Sequence, residues 1–250
     1  MQATTTSSQA SQNALAFLGR ARELERLEEL HTRRKHILIL GPAGVGKSVL
    51  VEQVRERFSL LVSARSGRLG EICEGLERQL GLDPAGLRLF PRKQQLREAM
   101  AAAGRAVVFD RVGWTGPTVS SFFESVTERA PVWICARSDH PWDIGHFWPL
   151  LVRFERVRVG PFHLSETQAL VGAAVEAGRI PAKALEIVEW LQRRSAGSPL
   201  VLCELLEGLA SGRYDPSSPY ALRLLELDRR IHEVFPAART GAIPPGDKPA

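Results

Sequence analysis

Residues 41–48 constrain the fold of this chain more than any other feature of its sequence. They read Gly-Pro-Ala-Gly-Val-Gly-Lys-Ser and match G-x-x-x-x-G-K-[ST], a glycine loop that holds the phosphates of a nucleoside triphosphate. The apolar run 36–40 before the loop is typical of a buried strand, and residues 49–58 after it have helical apolar spacing. Strand, glycine loop and helix in this order predict an α/β fold.

Each residue type in this loop has a chemical purpose. Glycines let backbone N–H groups converge on phosphate oxygens, and the N-terminus of the following helix adds a partial positive charge. We expect Lys47 to reach the β- and γ-phosphates and the Ser48 hydroxyl to coordinate Mg²⁺, so the predicted cofactors are ATP and Mg²⁺. The predicted nucleotide contacts in the loop are Gly41, Pro42, Ala43, Gly44, Val45, Gly46, Lys47, Ser48 and Val49.

Apolar runs and amphipathic segments alternate along the first 160 residues. The alternation predicts a three-layer P-loop NTPase sandwich, in which helices cover both faces of a five-stranded, mainly parallel sheet. The predicted strands are 36–40, 60–64, 106–110, 132–136 and 153–159. The last strand alternates polar and apolar residues, which indicates an edge strand.

The remaining segments are helical by their spacing, and from residue 165 onward the pattern contains helices only. Ser165 and Gln168 suggest a capping box at the start of this part. The predicted helices are 21–31, 49–58, 69–80, 94–103, 119–128, 165–177, 181–194, 199–209 and 219–234. The domain prediction is a disordered arm over 1–14, a nucleotide-binding domain over 15–162, a helical lid over 163–235 and a flexible tail over 236–250.

Composition narrows the class of protein. The 250 residues are 44% hydrophobic, which is ordinary for a globular chain, and the net charge is 33 − 28 = +5. That charge permits contact with nucleic acid without arguing for it, because the cations are scattered arginines and form no lysine run.

The three cysteines lie far apart without a C-x-x-C pair, which favours free thiols over a zinc site. No signal peptide or apolar span is evident, so we expect a cytoplasmic protein without a membrane partner.

Such a site needs a second Mg²⁺ ligand besides Ser48, a carboxylate at the end of a hydrophobic strand. Asp110 ends the run Ala-Val-Val-Phe and meets this requirement. The next residue is Arg111, which cannot act as a general base because it does not lose its proton near neutral pH. A carboxylate from elsewhere would then be needed for fast hydrolysis, and Glu124 and Asp143 are both candidates. Arg137 directly follows the fourth strand, at the edge of a parallel sheet where ligands bind, and could sense the γ-phosphate.

An ordered set of motifs resembles a known family. Residues 17–24 (Phe-Leu-Gly-Arg-Ala-Arg-Glu-Leu) resemble the leading segment of STAND-type and origin-recognition-like AAA ATPase domains. Residues 109–114 (Phe-Asp-Arg-Val-Gly-Trp) resemble the Walker B segment of the large ATP-binding transcription regulators in that class, and Arg137 matches the arginine that ends their sensor strand. Residues 159–165 and 197–206 resemble the two segments that open the helical subdomain and its Gly-Asn-Pro-Leu helix.

The resemblance implies further site residues and a mode of action. In this family the Gly-Arg segment lies over the adenine, which makes Phe17, Gly19 and Arg20 candidate base contacts. Pro199 corresponds to a proline that packs near the adenine or the phosphates. The helical subdomain of the family closes on the nucleotide, and its angle depends on whether ATP or ADP is bound. The resemblance therefore implies a hinge-type switch.

Two departures from the family keep three functions open. Arg111 replaces the second acidic residue of the family, and Gly113 replaces a histidine. We expect an ATP-dependent regulatory switch that hydrolyses slowly, with Lys47, Asp110 and Arg137 as catalytic residues and Ser48 and Asp110 as the Mg²⁺ ligands. A DNA-associated oligomeric ATPase of the transposition or origin-loader kind is the first alternative, and a nucleotide-binding scaffold without turnover is the second. We expect the output to pass through a protein partner, through self-assembly as a homo-oligomer or through the surface of the domain itself, and the basic charge permits contact with nucleic acid.

Overall fold

A five-stranded sheet forms the centre of the first half of the molecule. Its strands are β1 (His36–Leu40), β2 (Leu61–Ser63), β3 (Val107–Val112), β4 (Val132–Ala136) and β5 (Phe154–Arg158). Their spatial order is β2-β3-β4-β1-β5, and every neighbouring pair runs parallel. The predicted fold class is therefore confirmed, and β5 lies at an edge as its alternation indicated.

Helices cover both faces of this sheet. They are α1 (Ala21–Thr32), α2 (Lys47–Arg55), α3 (Leu69–Leu80), α4 (Leu89–Ala103), α5 (Pro117–Thr127) and the short α6 (Pro141–Ile144), followed by a 3₁₀ helix (Trp148–Arg153). One core packs α1 and α2 against one face of the sheet, with Leu27, Leu50 and Ile39 among its buried residues. A second core packs α3, α4 and α5 against the other face, which completes the three layers.

The computed structural model describes residues 20–83, 86 and 88–234. The described residues divide into two units, one that ends at Pro161 and one that begins at Phe162. The predicted arm over 1–14 and tail over 236–250 lie outside the described residues. Among those that are described, no helix is both long enough and apolar enough to cross a membrane.

The second unit consists of helices around a core of its own. They are α7 (Leu164–Glu176), a 3₁₀ helix (Ala182–Ile187), α8 (Val188–Ser195), α9 (Pro199–Ala210) and α10 (Pro219–Val234). Their core includes Leu170, Leu191, Leu202 and Leu205, which are all fully buried. Three of these five elements begin directly after or at a proline, which lacks an N–H group and suits the first turn of a helix.

Three local expectations differ from the structure. The capping contact of α7 is two residues earlier than the sequence suggested, because the Glu166 carboxylate accepts the His163 N–H at 2.7 Å. The single helix expected over 181–194 is two elements, because Ile187 leaves the helical region with φ −110° and ψ 16°. α4 begins at Leu89, five residues before its expected start.

Candidate nucleotide-binding site

The glycine loop connects the end of β1 to the start of α2, and its glycines have specific steric roles. A Cβ atom on Gly41 would lie 2.3 Å from the Val159 carbonyl oxygen, so no other residue fits there without a backbone shift. Gly44 and Gly46 adopt φ of 77° and 96°, in the left-handed region that glycine tolerates best. The motif therefore folds into a tight loop that is joined to β4 through the Gly41 N–H, which donates to the Ala136 carbonyl at 3.3 Å.

The N-terminus of α2 is suited to an anion. The helix begins with Lys47 after Gly46, has no side-chain cap and carries no acidic residue in its first turn. Its first internal hydrogen bond runs from the Leu50 N–H to the Gly46 carbonyl at 2.9 Å. The N–H groups of Lys47, Ser48 and Val49 therefore point out of the helix end, where its dipole attracts negative charge.

Lys47 bends back over the loop. Its ammonium donates to the carbonyls of Gly41 at 2.6 Å and Pro42 at 2.8 Å. Burial lowers the pKa of Lys47, the charge of Asp110 raises it, and the charge of Arg137 lowers it. Lys47 therefore lies within electrostatic reach of groups at the ends of β3 and β4, and the roles of Asp110 and Arg137 at a nucleotide stay predictions.

Asp110 is brought next to the loop by an irregularity in β3. Phe109 pairs with Ile134 and Val112 pairs with Ala136, so two β3 residues, Asp110 and Arg111, stand opposite one residue of β4. This is the pattern of a β-bulge, which re-aims side chains at functional sites. Phe109 points into the core on the α5 side, and Asp110, the next residue, points to the α2 side. Its carboxylate is only 5% exposed.

Arg111 occupies an unusual backbone position. Its φ is 54°, and its N–H donates to its neighbour, the Asp110 carboxylate, at 2.8 Å. The guanidinium is 76% exposed and its Nε lies 3.8 Å from the second carboxylate oxygen of Asp110. A cation therefore occupies the place directly after the buried carboxylate, at the position where this sequence departs from the family that it resembles.

Neither alternative carboxylate contacts Asp110 in the structure. Glu124 lies on α5, which covers the opposite face of the sheet from α2. Asp143 lies on α6 and accepts a hydrogen bond from the Ser138 hydroxyl, just beyond the end of β4. No cluster of three or more His, Cys, Asp or Glu side chains suited to a metal occurs within residues 20–83, 86 and 88–234.

Cys135 lies next to Asp110, and the sequence did not indicate it as a site residue. It lies on β4, is fully buried beneath α1 and α2, and shares that face of the sheet with Val108 and Asp110. Burial raises the pKa of its thiol well above the ordinary value, and the adjacent Asp110 carboxylate raises it further by charge and hydrogen bonding. The thiol therefore stays protonated and can donate to Asp110. Its only sequence signal was its position two residues before Arg137.

Arg20 lies between the glycine loop and the chain after β5. Its guanidinium donates to the Gly160 carbonyl at 2.7 Å, to the Val45 carbonyl at 3.2 Å and to Glu23 at 3.0 Å. The side chain is nearly buried. Arg20 therefore ties the glycine loop to the chain after β5, through backbone carbonyls that no motif encodes.

The other predicted site residues are dispersed. Ser48 is half-buried at the second position of α2, and Arg137 is exposed directly after β4. Pro199 is buried at the first position of α9, in the helical unit. Phe17 and Gly19 lie outside the described residues. The geometry thus brings Lys47, Asp110 and Arg137 together with Ser48 in one unit.

Solved structures with the same fold were found, although the chain matches no protein-family model and no curated protein in sequence. The Walker-type ATPase PABY2304 of Pyrococcus abyssi has a TM-score of 0.63 and 16% identity, over 89% of this chain and 75% of that one. The ORC1 protein of Aeropyrum pernix, solved in complex with DNA, has a TM-score of 0.63 and 13% identity, over 91% and 69%.

A third similar structure is a signal transduction ATPase with numerous domains (STAND), which carries a tetratricopeptide repeat sensor. This protein, PH0952 of Pyrococcus horikoshii, has a TM-score of 0.51 and 16% identity over 84% of this chain, which spans 32% of its length. All three similarities are below 20% identity and therefore concern the fold. The chain accordingly has the fold of a P-loop ATPase domain of the AAA type.

Proposed function

We propose that this chain binds Mg-ATP at residues 41–48 and uses the nucleotide as a regulatory switch, with slow hydrolysis. The observation that carries the proposal is that the glycine loop, the buried Asp110 and Arg137 lie at the carboxyl ends of three adjacent parallel strands, β1, β3 and β4. Ligands of open α/β sheets bind at this edge. A glycine loop, a helix N-terminus and a buried carboxylate are the parts that a Mg-nucleotide requires.

Each residue has a role in holding the nucleotide. The N–H groups of the loop and of the first turn of α2 would bind phosphate oxygens, and Lys47 would exchange the Gly41 and Pro42 carbonyls for the β- and γ-phosphates. Ser48 and Asp110 would hold Mg²⁺, which suits one carboxylate and one hydroxyl because Mg²⁺ takes its other ligands from phosphate and water. The bound ion would neutralise negative charge on the phosphates.

Slow turnover follows from the end of β3. A water-orienting or general-base group contributes about 10²–10⁴-fold to such reactions, and an arginine cannot supply it. The exposed Arg111 guanidinium can still bind phosphate. Its presence therefore supports retention of the triphosphate more than its cleavage.

A switch requires that the phosphates influence a distant part of the chain. Arg20 offers such a connection, because it bonds both Val45, inside the glycine loop, and Gly160, next to the last residue of the first unit. Arg137 is exposed at the end of β4, where a γ-phosphate would distinguish ATP from ADP. We propose that nucleotide state is transmitted from the loop to the connection at residues 160–161 through Arg20.

Two assays on the same preparation test the proposal. Equilibrium titration with ATP and ADP, with and without Mg²⁺, measures binding, and steady-state phosphate release measures turnover. We expect Mg-dependent binding of ATP in the micromolar range and turnover below about 0.01 s⁻¹, well under the common enzymatic range. Absence of binding would refute the proposal, and binding without any turnover would favour the scaffold.

DNA association is the second candidate function. The net charge of +5 and the likeness in fold to ORC1, a protein solved with DNA, favour testing it. Phosphate release and ATP binding would be repeated with a short DNA duplex at about 50 and 200 mM salt, because phosphate contacts weaken steeply with salt. ATP-dependent, salt-sensitive DNA binding with stimulated turnover would favour this candidate over the switch.

A further inference from the structure

Helix α10 has two apolar faces, and among the residues that the structure describes only one of them is packed against a core. Leu222 and Leu225 are buried in the core of the helical unit. A Cβ on Gly208 would lie 2.2 Å from a Leu225 methyl group, so α9 and α10 approach closely there. Arg229, on the same side of the helix, pairs with Glu204 of α9 at 3.6 Å. This inner face accounts for the stability of the helix.

The outer face carries a continuous apolar stripe, which we name the outer seam. Its members are Tyr220, Leu224, Leu227, Ile231 and Val234, with exposed fractions of 72%, 37%, 53%, 49% and 68%. They are separated by four, three, four and three residues, which is the d-a-d-a-d spacing of a coiled coil. At 1.5 Å per residue the seam is about 21 Å long.

A seam of this kind needs a partner helix. Contiguous exposed apolar side chains are uncommon on monomers and mark interaction sites. Two heptads are too few for an isolated coiled coil, since forming the helices themselves costs free energy. That cost does not arise here, because the inner face already holds α10 in its helical form. Association therefore has to supply only the free energy of docking.

The charges beside the seam favour a second copy of this chain in one orientation. In the heptad, Arg223 and Arg230 occupy g positions and Asp228 occupies an e position. Two parallel copies bring Arg223 of one next to Asp228 of the other, twice by symmetry, whereas antiparallel copies bring the arginines together. The Asp228 carboxylate is fixed on this flank by a hydrogen bond from the Tyr214 hydroxyl.

We propose that the outer seam of α10 pairs with the same seam of a second copy of the chain, as a short parallel two-stranded coiled coil. The proposal rests on α10 alone and is independent of the nucleotide site. The interface is small, so we expect a dissociation constant of roughly 1–100 µM, typical of transient contacts.

Sedimentation equilibrium of the 250-residue chain between about 1 and 300 µM is the first test. We expect a monomer–dimer equilibrium that Ile231→Glu weakens at least tenfold, because it places a charge in the seam. Val152→Glu is the matched control, since Val152 is 83% exposed on the first unit and should leave the equilibrium unchanged. Circular dichroism and Tm confirm that both variants are folded. A wild-type chain that stays monomeric at 300 µM would overturn the proposal.

Disulfide cross-linking tests the orientation. In a parallel pair equivalent d residues meet across the seam, so Leu227→Cys should give a covalent dimer on mild oxidation. Val152→Cys and the wild type control for the native thiols, of which Cys73 and Cys135 are buried and Cys203 is half-buried. Cross-linking of Leu227→Cys no stronger than in these controls would contradict parallel self-pairing.

Discussion

The glycine loop and the end of β3 serve the same candidate site but differ in how closely they follow the pattern of a hydrolytic ATPase. The loop has every expected feature, from the Gly41 contact that excludes a Cβ to the uncapped start of α2. The end of β3 keeps the buried Asp110 but continues with the exposed Arg111 in a bulge. Under the proposed function, the difference implies that nucleotide binding and nucleotide cleavage can be separated within one site, because they depend on the ends of different strands.

The largest expected effect is the loss of ATP affinity on substitution in the glycine loop. Lys47→Ala should weaken ATP binding about 100-fold, because it removes the charged donor to the β- and γ-phosphates. Isothermal titration with Mg-ATP measures the change, and Lys35→Ala, an exposed lysine just before β1, is the control. Equal affinities of Lys47→Ala and wild type would show that the nucleotide does not bind at the loop.

Substitution of Arg111, at the end of β3, should change turnover more than binding. Arg111→Asp should raise phosphate release about 30-fold, since it replaces a cation by a carboxylate that can orient water, within the range for general bases. Asn and Asp both tolerate the left-handed φ of 54° at this position, so Arg111→Asn is the matched variant without the charge. A rise in both variants would mean that the arginine inhibits hydrolysis, and a rise in neither would contradict the role given to residue 111.

Gly41→Ala tests whether the glycine loop depends on the absence of a side chain at residue 41. The new Cβ would lie 2.3 Å from the Val159 carbonyl oxygen, so we expect ATP affinity to fall about tenfold and the free energy of unfolding to fall by about 1–3 kcal/mol. Denaturant unfolding and titration measure the two effects. Gly67→Ala, where a Cβ meets nothing within 4 Å, should change neither.

The smallest effect concerns the support of Asp110. Cys135→Val keeps the volume but removes the thiol donor, so the Mg²⁺ concentration for half-maximal ATP binding should rise about threefold. Cys135→Ser should return this Mg²⁺ concentration close to the wild-type value. Cys73→Val, in the opposite core, should leave it unchanged.

The protonation of Cys135 adds a test by pH. Since burial and Asp110 raise the pKa of Cys135 well above its ordinary value, the thiol is protonated throughout pH 6–9. Its donor role should therefore be constant in that window and be lost only at higher pH, where the thiol ionises. A titration of the Mg²⁺ requirement near neutral pH that Cys135→Val abolishes would contradict this assignment.

The sequence predicted those parts of the molecule that depend on local pattern. The glycine loop, the parallel strands and the edge position of β5 follow from motif and periodicity, because neighbouring residues determine them. The helical break at Ile187 and the capping of α7 by Glu166 were not predicted, since backbone angles within a turn depend on packing around it.

The contacts missed in the site are all long-range. The adjacency of Cys135 and Asp110 follows from the register of two strands and from a bulge, which apolar alternation does not encode. Arg20 reaches Gly160 across 140 residues of sequence, and its expected position over an adenine stays a prediction. The assignments of Ser48, Arg137 and Pro199 to the nucleotide likewise stay predictions.

The most direct test of the account is to measure ATP binding and phosphate release in parallel on the wild-type chain, with Lys47→Ala as the control for both. We predict micromolar, Mg-dependent binding that Lys47→Ala weakens about 100-fold, together with phosphate release below about 0.01 s⁻¹. Turnover of several molecules per second, or an absence of binding in the wild type, would contradict the claim that this site retains ATP and cleaves it slowly.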